Sequence, residues 1–458
     1  MTNRGLHPDV RAAAWQTLAD CLRIWNTLEA KDVWLALRAV EVKEQPNIIV
    51  SEGCQVASDP LGKGWTYSYS VEKRRSSIAQ SELLNRLRSL PSVASLEVAI
   101  KAYQPELLSA IVLPSIARDG IEVAEIAVAW WSEALAKASY GELNEAIFEQ
   151  VLDDLDKVLS SRCVTYEVTY LLGGIEFSET FEQIDLGGGW TLRRVAKEEI
   201  VSLASEEVLS RGSGTFPVLV KAALTYRKEY LVEFLSAIPS ELPPFDLSGD
   251  LLDQSDLIVA ALHLLKPCHI RIIRTTPKYV PTVLPGLTAG SHRPFDVSSP
   301  QTVKYSEDEL LKFLDLYRRV ITTGRREVIL AISRLRDAEL RLNPFDSIVE
   351  AFIGIEAILN PVASTEISFT ASLAYALLGP PFDRLSRFNE LYKLYGVRSK
   401  IVHGAVAHGI GASIKFGSDA WAARKCLRDL LHRVLLDDQF VSGAKYDKKY
   451  WAEKLLQS

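Results

Sequence analysis

Asn343-Pro-Phe-Asp-Ser-Ile-Val-Glu-Ala-Phe-Ile-Gly-Ile-Glu-Ala-Ile-Leu359 decides how the last third of this 458-residue chain folds. Asn343 has the side chain of a helix N-cap, and Pro344 suits a first helical turn because its missing N–H would be unpaired there anyway. Behind them Phe345, Ile348, Val349, Phe352, Ile355 and Leu359 recur at three and four positions, the spacing of one apolar helix face. Pro361 stops the run. Such a face must be buried against other helices, and the flanking sequence supplies them. Glu307 to Leu342 carries long helical periodicity interrupted at Thr322-Thr-Gly324. Ser368 to Leu378 is a further helix, ended by Gly379-Pro-Pro381. Another starts near Asp383, and a last one covers about Asp419 to Leu436. Apolar-striped helices joined by short breaks are what a helical bundle requires.

Upstream the period changes. In Cys163-Val-Thr-Tyr-Glu-Val-Thr-Tyr-Leu-Leu172, Val164, Tyr166, Val168 and Tyr170 alternate with polar neighbours, the signature of a strand. Gly173-Gly174 and the following Ile175-Glu-Phe read as the turn and return of a hairpin. Gly187-Gly-Gly189 lacks the Lys-Ser/Thr ending of a phosphate-binding loop, so it predicts a tight turn before the strand Trp190-Thr-Leu-Arg-Arg. Strands are expected at Phe216 to Tyr226 and His269 to Arg274, with a short helix at Asp256 to Leu265 between them. The proline-bearing stretches Pro239 to Asp250 and Thr276 to Pro300 read as loops, the second as a domain boundary.

Residues 8 to 39 read as helix through Trp15, Leu18, Leu22, Trp25 and Leu28, Ser77 to Leu90 as another, and 121 to 160 as a second helical block. Gly62 to Ser70 is a turn or short strand. The expected architecture is therefore multidomain α+β: a mostly helical N-terminal region over 1–160, an α+β domain over 161–300, and an all-α helical bundle over 301–458.

Hydrophobic residues make up 48% of the chain and charged residues 24%, a balance that favours folding over disorder. The formal charge of -6 and pI near 5.8 exclude a protein that coats nucleic acid with a global positive surface, so any RNA site must be local. Cysteines at 21, 54, 163, 268 and 426 are odd in number and scattered, the pattern of a reduced, cytoplasmic chain. His263 and Cys268-His269 lie in an apolar run and read as packing and surface residues rather than metal ligands. The N-terminus lacks the features of a signal peptide, and no apolar stretch reaches the ~18 to 20 residues needed to cross a bilayer.

The chemistry-bearing string is Arg398-Ser-Lys-Ile-Val-His403-Gly404. It pairs a permanent cation, suited by its planar fork to phosphate, with an imidazole that titrates near neutrality. Those two groups suit cleavage of a phosphodiester. On a regular helix five positions turn by about 500°, leaving the two side chains about 140° apart around the axis, so one chain alone would not bring both to one phosphate. Around them, Arg384, Arg387 and Lys393 read individually as a solvated helix face. Tyr392 and Tyr395, at helical spacing, read as core packing. His408, in the glycine-rich stretch Gly404 to Gly411, reads as loop. Glu356, on the apolar stripe, either fixes the bundle as a hydrogen-bonded carboxylate, the reading favoured here, or orients Arg398.

The run Leu391-Tyr-Lys-Leu-Tyr-Gly-Val-Arg-Ser-Lys-Ile-Val-His-Gly404 resembles the RxxxxH signature of Apea-like HEPN domains, with its preceding Leu-Tyr and closing His-Gly. Asp346 to Glu356 resembles that family's first bundle helix, and Thr365 to Ala374 the next. Ala331 to Ala338 and Ile184 to Arg194 are similar to less specific stretches found before it. The resemblance covers the last third well, the middle third weakly, and nothing of residues 1–160. It implies a dimerising helical bundle in which two RxxxxH motifs share one cleft and cut RNA without metal or cofactor. Arg398 and His403 would be catalytic, Ser399 and Glu356 supporting, and Lys393 and Lys400 RNA contacts. Family members often carry Asn, Asp or His where this chain has Ser399, and some place a modifiable tyrosine where it has Ala405. The implied role is a cytoplasmic endoribonuclease of antiphage or stress defence, with a trigger bound by the N-terminal regions. The alternative is a non-catalytic HEPN module that dimerises and binds RNA or protein.

Overall fold

A computed structural model describes residues 5–27, 33–46, 54–55, 63–75, 83–113, 116–118, 121–138, 143–178, 180–195, 222–235, 247–285, 302–359, 367–404, 410–437 and 453. The chain is a mixed helix-and-sheet protein with a helical C-terminal region. It divides into two compact units: Met1–Leu172 with Glu182–Asp250 and Ile273–Ser299, and Gly173–Phe181 with Leu251–Ile272 and Pro300–Ser458.

The first unit opens with helix α1 (Pro8–Thr27), which buries Val10, Ala14, Leu18 and Cys21 completely. Helices α2 (Pro91–Tyr103), α3 (Val123–Lys137) and α4 (Glu145–Ser161) gather around it. Arg11 ties α1 to α4 through Glu149 and Asp153 at 2.5 and 2.7 Å. Residues 33–39, expected to be helical, instead begin strand β1 (Val33–Pro46), which precedes the short β2 (Cys54–Gln55). β1 runs antiparallel to β3 (Lys63–Arg75), with Val42 opposite Tyr67 and Lys43 opposite Thr66. The reason lies in the partner: Trp65, Tyr67, Tyr69 and Val71 alternate with Thr66, Ser68, Ser70 and Glu72, and Val40-Glu-Val-Lys43 alternates to match. The N-terminal region is thus helical and stranded, with further short strands β4 (Ala110–Leu113) and β5 (Ile116–Arg118). Of the expected helix Ser77 to Leu90, residues 83–87 are helical and 77–82 lie outside the described residues.

The unit's main sheet has the order β12-β6-β10-β9-β8. Its strands are β6 (Cys163–Gly173), β8 (Gln183–Gly187), β9 (Trp190–Arg194), β10 (Ala222–Leu231) and β12 (Arg271–Val280); β11 (Glu233–Leu235) pairs with β4. Val164, Tyr166, Val168 and Tyr170 of β6 are buried, as their alternation predicts. Tyr170 packs on Trp190 at 5.7 Å, and Trp190 on Tyr226 at 5.0 Å, so the aromatic layer crosses strands. Gly187, Gly188 and Gly189 all have positive φ and form the β8–β9 turn; a β-carbon at Gly189 would meet the Arg227 carbonyl at 2.4 Å.

Two expectations are corrected here. Gly173-Gly174 does not turn a hairpin, because β7 (Ile175–Phe177) pairs in parallel with β13 (Val303–Tyr305). The buried Ile175 and Phe177 fix the period of that strand but not its partner, which lies far away in sequence. Thr276 to Val280, expected as loop, belongs to β12; as the edge strand it tolerates Pro277, which has no N–H to give a further neighbour. Residues 216–221 and 286–300 lie outside the described residues, as do 239–246, while 247–250 already belong to helix α5 (Leu247–Leu262).

The second unit is the helical one. Helix α6 (Glu307–Thr323) starts with a capping box between Ser306 and Glu309 and ends at Gly324, whose φ of 54° lets the chain leave the helix. Then follow α7 (Arg326–Leu340), α8 (Pro344–Leu359), α9 (Ile367–Leu377), α10 (Arg384–Val402) and α11 (Ile410–Leu436). Asn343 caps α8 by accepting from the Phe345 amide at 3.0 Å. Phe345, Ile348, Phe352, Ile355 and Leu359 are buried, which places α8 at the centre against α7 and α11. The approach is close enough that a β-carbon at Gly354 would meet Leu427 at 2.7 Å.

Beneath this packing runs a polar network. Buried Glu339 pairs with Arg428, and with Arg424 at 3.5 Å; Arg424 also donates to Ser347 Oγ at 2.7 Å. Arg428 donates to the His263 carbonyl at 3.0 Å. His263 is fully buried, its Nε2 bound to the Ile270 carbonyl at 3.1 Å, while Cys268 is buried and His269 half-buried. Arg387 corrects its sequence reading: far from solvated, it is 5% exposed, with its guanidinium 3.9 Å over the Tyr375 ring and 3.7 Å from Asp429. Cation–π stacking and a carboxylate together compensate its burial and bolt α10 to α9 and α11.

Candidate functional site

Helix α10 carries the RxxxxH string on its last turns. Its inner side is anchored by Arg387, Leu391, Leu394 and Tyr395, all buried. The helix ends where Gly404 takes φ 68°, with the His403 amide donating to Ser399 O at 3.0 Å and the Gly404 amide to Ile401 O at 3.1 Å. A β-carbon at 404 would meet nothing within 4 Å, so conformation rather than crowding requires this glycine. His403 is therefore held on the first non-helical residue, with its imidazole exposed.

Arg398 sits one and a half turns earlier and half-buried. Its Nη2 lies 3.7 Å from Glu356 Oε1 on α8, the two side chains being 31% and 23% exposed. Glu356 thus faces Arg398, while its Oε1 makes no hydrogen bond. Sequence reasoning missed the third member of this group. Tyr395, three positions before Arg398, is 4% exposed and packs its ring edge-on to Phe352 at 4.5 Å. Burial, and then the facing Glu356 charge, raise its hydroxyl pKa well above the ordinary phenol value. The available signal was the matched spacing: Tyr395 and Arg398 on α10 stand opposite Phe352 and Glu356 on α8, each pair one helical turn apart.

Ser399, Lys400 and Lys393 are exposed. Lys393 and Lys400, seven positions apart, share one side of α10 to within about 20°. The structure therefore brings Arg398 and Glu356 together, and leaves Ser399, Lys393, Lys400 and His403 on solvent. His408 lies outside the described residues.

Tyr392 corrects its reading as core. It is 50% exposed and stacks on Phe388 at 5.6 Å, and Phe388 in turn meets Phe369 of α9 at 5.5 Å. With Phe382 at 92% and Leu385 at 75% exposed, this is an exposed apolar surface. Leu385, Phe388 and Tyr392 follow one another at three and four positions as a short apolar stripe, and Gly396, Ser399 and His403 continue the same helix face without apolar side chains.

Among the described residues no group of three or more His, Cys, Asp and Glu is arranged to hold a metal ion, and no helix is long and apolar enough to cross a membrane. The chain matches no protein-family model, no curated protein and no solved structure.

Proposed function

We propose that this chain is an endoribonuclease of the HEPN type, active as a homodimer, whose two α10 ends form one cleft. The observation that carries the reading is the pairing of a positioned guanidinium with an exposed imidazole at one helix terminus. The imidazole takes the proton of a ribose 2'-hydroxyl, the 2' oxygen attacks phosphorus, and the bond to the 5' oxygen breaks. That oxygen receives a proton from the partner copy's imidazole, while Arg398 holds the charge that develops on the phosphoryl oxygens. Lys393 and Lys400 meet neighbouring phosphates as point charges. The step consumes no metal and no cofactor, and it confines cleavage to RNA.

Dimerisation is supported by two features. Arg398 and His403 diverge by about 140° around α10, so one copy offers each phosphate only half a site. The exposed stripe from Leu385 to Tyr392 leads to His403 and supplies the apolar surface that a second copy would cover. The same stripe also favours the second reading, an interaction module without turnover. In the first reading the defence role, with the N-terminal part answering a trigger, rests on the resemblance to Apea-like HEPN domains.

The deciding experiment incubates purified wild type, Arg398→Ala and His403→Ala with total RNA and analyses the product ends. Wild type is expected to leave 2',3'-cyclic phosphates and 5'-hydroxyls, and both variants intact RNA. Products with 5'-phosphates, or cleavage that survives both substitutions, would overturn the mechanism.

A further inference from the structure

Three polar atoms stand unmatched at one place in the bundle. Arg398 Nε, Glu356 Oε1 and the Tyr395 hydroxyl are each buried without a hydrogen-bond partner, although the Arg398 guanidinium comes within 3.7 Å of the carboxylate. A buried polar group left unsatisfied costs about 1–3 kcal/mol, so natural proteins rarely gather several without a use. Packing does not explain the tyrosine. Phenylalanine at 395 would fill the same space against Phe352, and only the hydroxyl reaches the Glu356–Arg398 pair.

The geometry points to Tyr395 as a positioning residue for Arg398. In the free protein Glu356 holds the guanidinium loosely; when a substrate phosphate draws Arg398 away, the Tyr395 hydroxyl donates to Glu356 and keeps that carboxylate satisfied. The exchange needs only side-chain movement. The 3.7 Å separation is already longer than a charge-assisted hydrogen bond of about 2.7–2.9 Å, so little is lost when Arg398 leaves. The phenol retains its proton at neutral pH, because burial and the facing carboxylate both oppose ionisation. Glu356 and Tyr395 touch no substrate. They set how readily Arg398 reaches it.

This inference rests on the proposed phosphate-binding role of Arg398, and it is tested by binding as well as cleavage. The probes are a labelled mixed-sequence RNA oligonucleotide and its all-2'-deoxy counterpart, which carries the phosphates but cannot be cut through a 2'-oxygen. With full-length protein, Tyr395→Phe is expected to raise Kd for the deoxy probe and KM for the RNA about tenfold, equivalent to about 1.4 kcal/mol, with kcat within about twofold. In a Glu356→Gln background, where no carboxylate charge needs the hydroxyl, the same change is expected to cost less than about twofold. Thermal melting of each variant verifies folding. Unchanged Kd in Tyr395→Phe, or an equal loss in both backgrounds, overturns the inference. Protein that shows the coupled loss in binding but cuts no RNA overturns the ribonuclease reading alone, and protein that binds neither probe overturns both.

Discussion

Acidification should loosen the helical unit through a single buried imidazole, His263. Its Nε2 donates to the Ile270 carbonyl, which leaves Nδ1 as the atom a second proton must occupy; that atom is buried with no hydrogen-bond partner. Burial first, and then the nearby charges of Arg428 and Arg336, push its pKa from 6.5 down to about 3 despite the Ile270 bond. As pH falls below 6.5 the unfolded chain takes up the proton while the folded one does not, so stability is full above that value and is lost progressively between pH 6.5 and about 3. At about pH 5 the unfolded imidazole is protonated about thirty to one, which corresponds to about 2 kcal/mol. That figure depends on the unfolded value alone so long as the folded pKa stays below about 4. The half-buried His269, also lowered chiefly by burial, acts in the same direction. The comparison variant is His263→Gln, whose amide nitrogen can still donate to Ile270 but cannot titrate. Urea unfolding read by pulsed hydrogen exchange in peptides 326–340 and 410–436 should show wild type losing about 2 kcal/mol more than the variant between about pH 7.5 and about pH 5. A difference under about 0.5 kcal/mol would refute the reasoning, because it would mean that the folded imidazole protonates as easily as the unfolded one.

Two further outcomes rest on single residues. Glu339→Ala removes the only carboxylate paired with Arg424 and Arg428 among the described residues and leaves the buried Arg428 and the part-buried Arg424 without it; a loss of about 3–5 kcal/mol is expected in a urea titration, and a loss under about 1 kcal/mol would mean that the network is solvated. Gly404→Ala places a β-carbon at φ 68° and should cost about 1–2 kcal/mol locally, seen as faster amide exchange at Ile401 to Gly404 and as RNA cleavage that falls while global stability holds; unchanged exchange would show that the helix end needs no left-handed residue.

The parts of the fold that were legible in sequence are those whose cause is local. The α8 stripe from Phe345 to Leu359, its Asn343 cap and the Gly324 break depend on neighbours within a turn or two, and the helices form there. The alternation in β6 likewise fixed a strand. What it could not fix was the partner. Ile175 and Phe177 have the right period for a hairpin return, yet pairing with Val303–Tyr305 is settled by contacts more than a hundred positions away. The error at 33–39 has a similar source. Trp34, Leu35 and Leu37 fit a helix extended from α1, and only pairing with β3, which sets Leu35 opposite Arg74 and Leu37 opposite Val71, decides for β structure.

At the site the same division explains why Arg398 and His403 were readable and Tyr395 was not. A charged or titratable group announces its chemistry by residue type, whereas a tyrosine announces equally a ring for the core and a hydroxyl for a site. Spacing had placed both Tyr392 and Tyr395 in the core, and they occupy opposite conditions: one half-exposed on Phe388, the other buried on Phe352 with its hydroxyl beside a carboxylate. Three positions on a helix turn by about 300°, so only the location of α8 determines which of the two tyrosines meets Glu356. Arg387 makes the converse point. Its charge suggested solvent, but Tyr375 and Asp429, brought from two other helices, create a place where a guanidinium is better inside than out. The inner side of α10 is thereby fixed at Arg387 and at Tyr395. On its outer side Phe388 meets Phe369 of α9, while Leu385, Tyr392, Ser399 and His403 remain exposed. A helix so anchored on one side carries the exposed Leu385 and Tyr392 in the turns before its terminal histidine; in the proposed dimer a second copy of the same helix would cover them and bring its own Arg398 toward the first copy's His403.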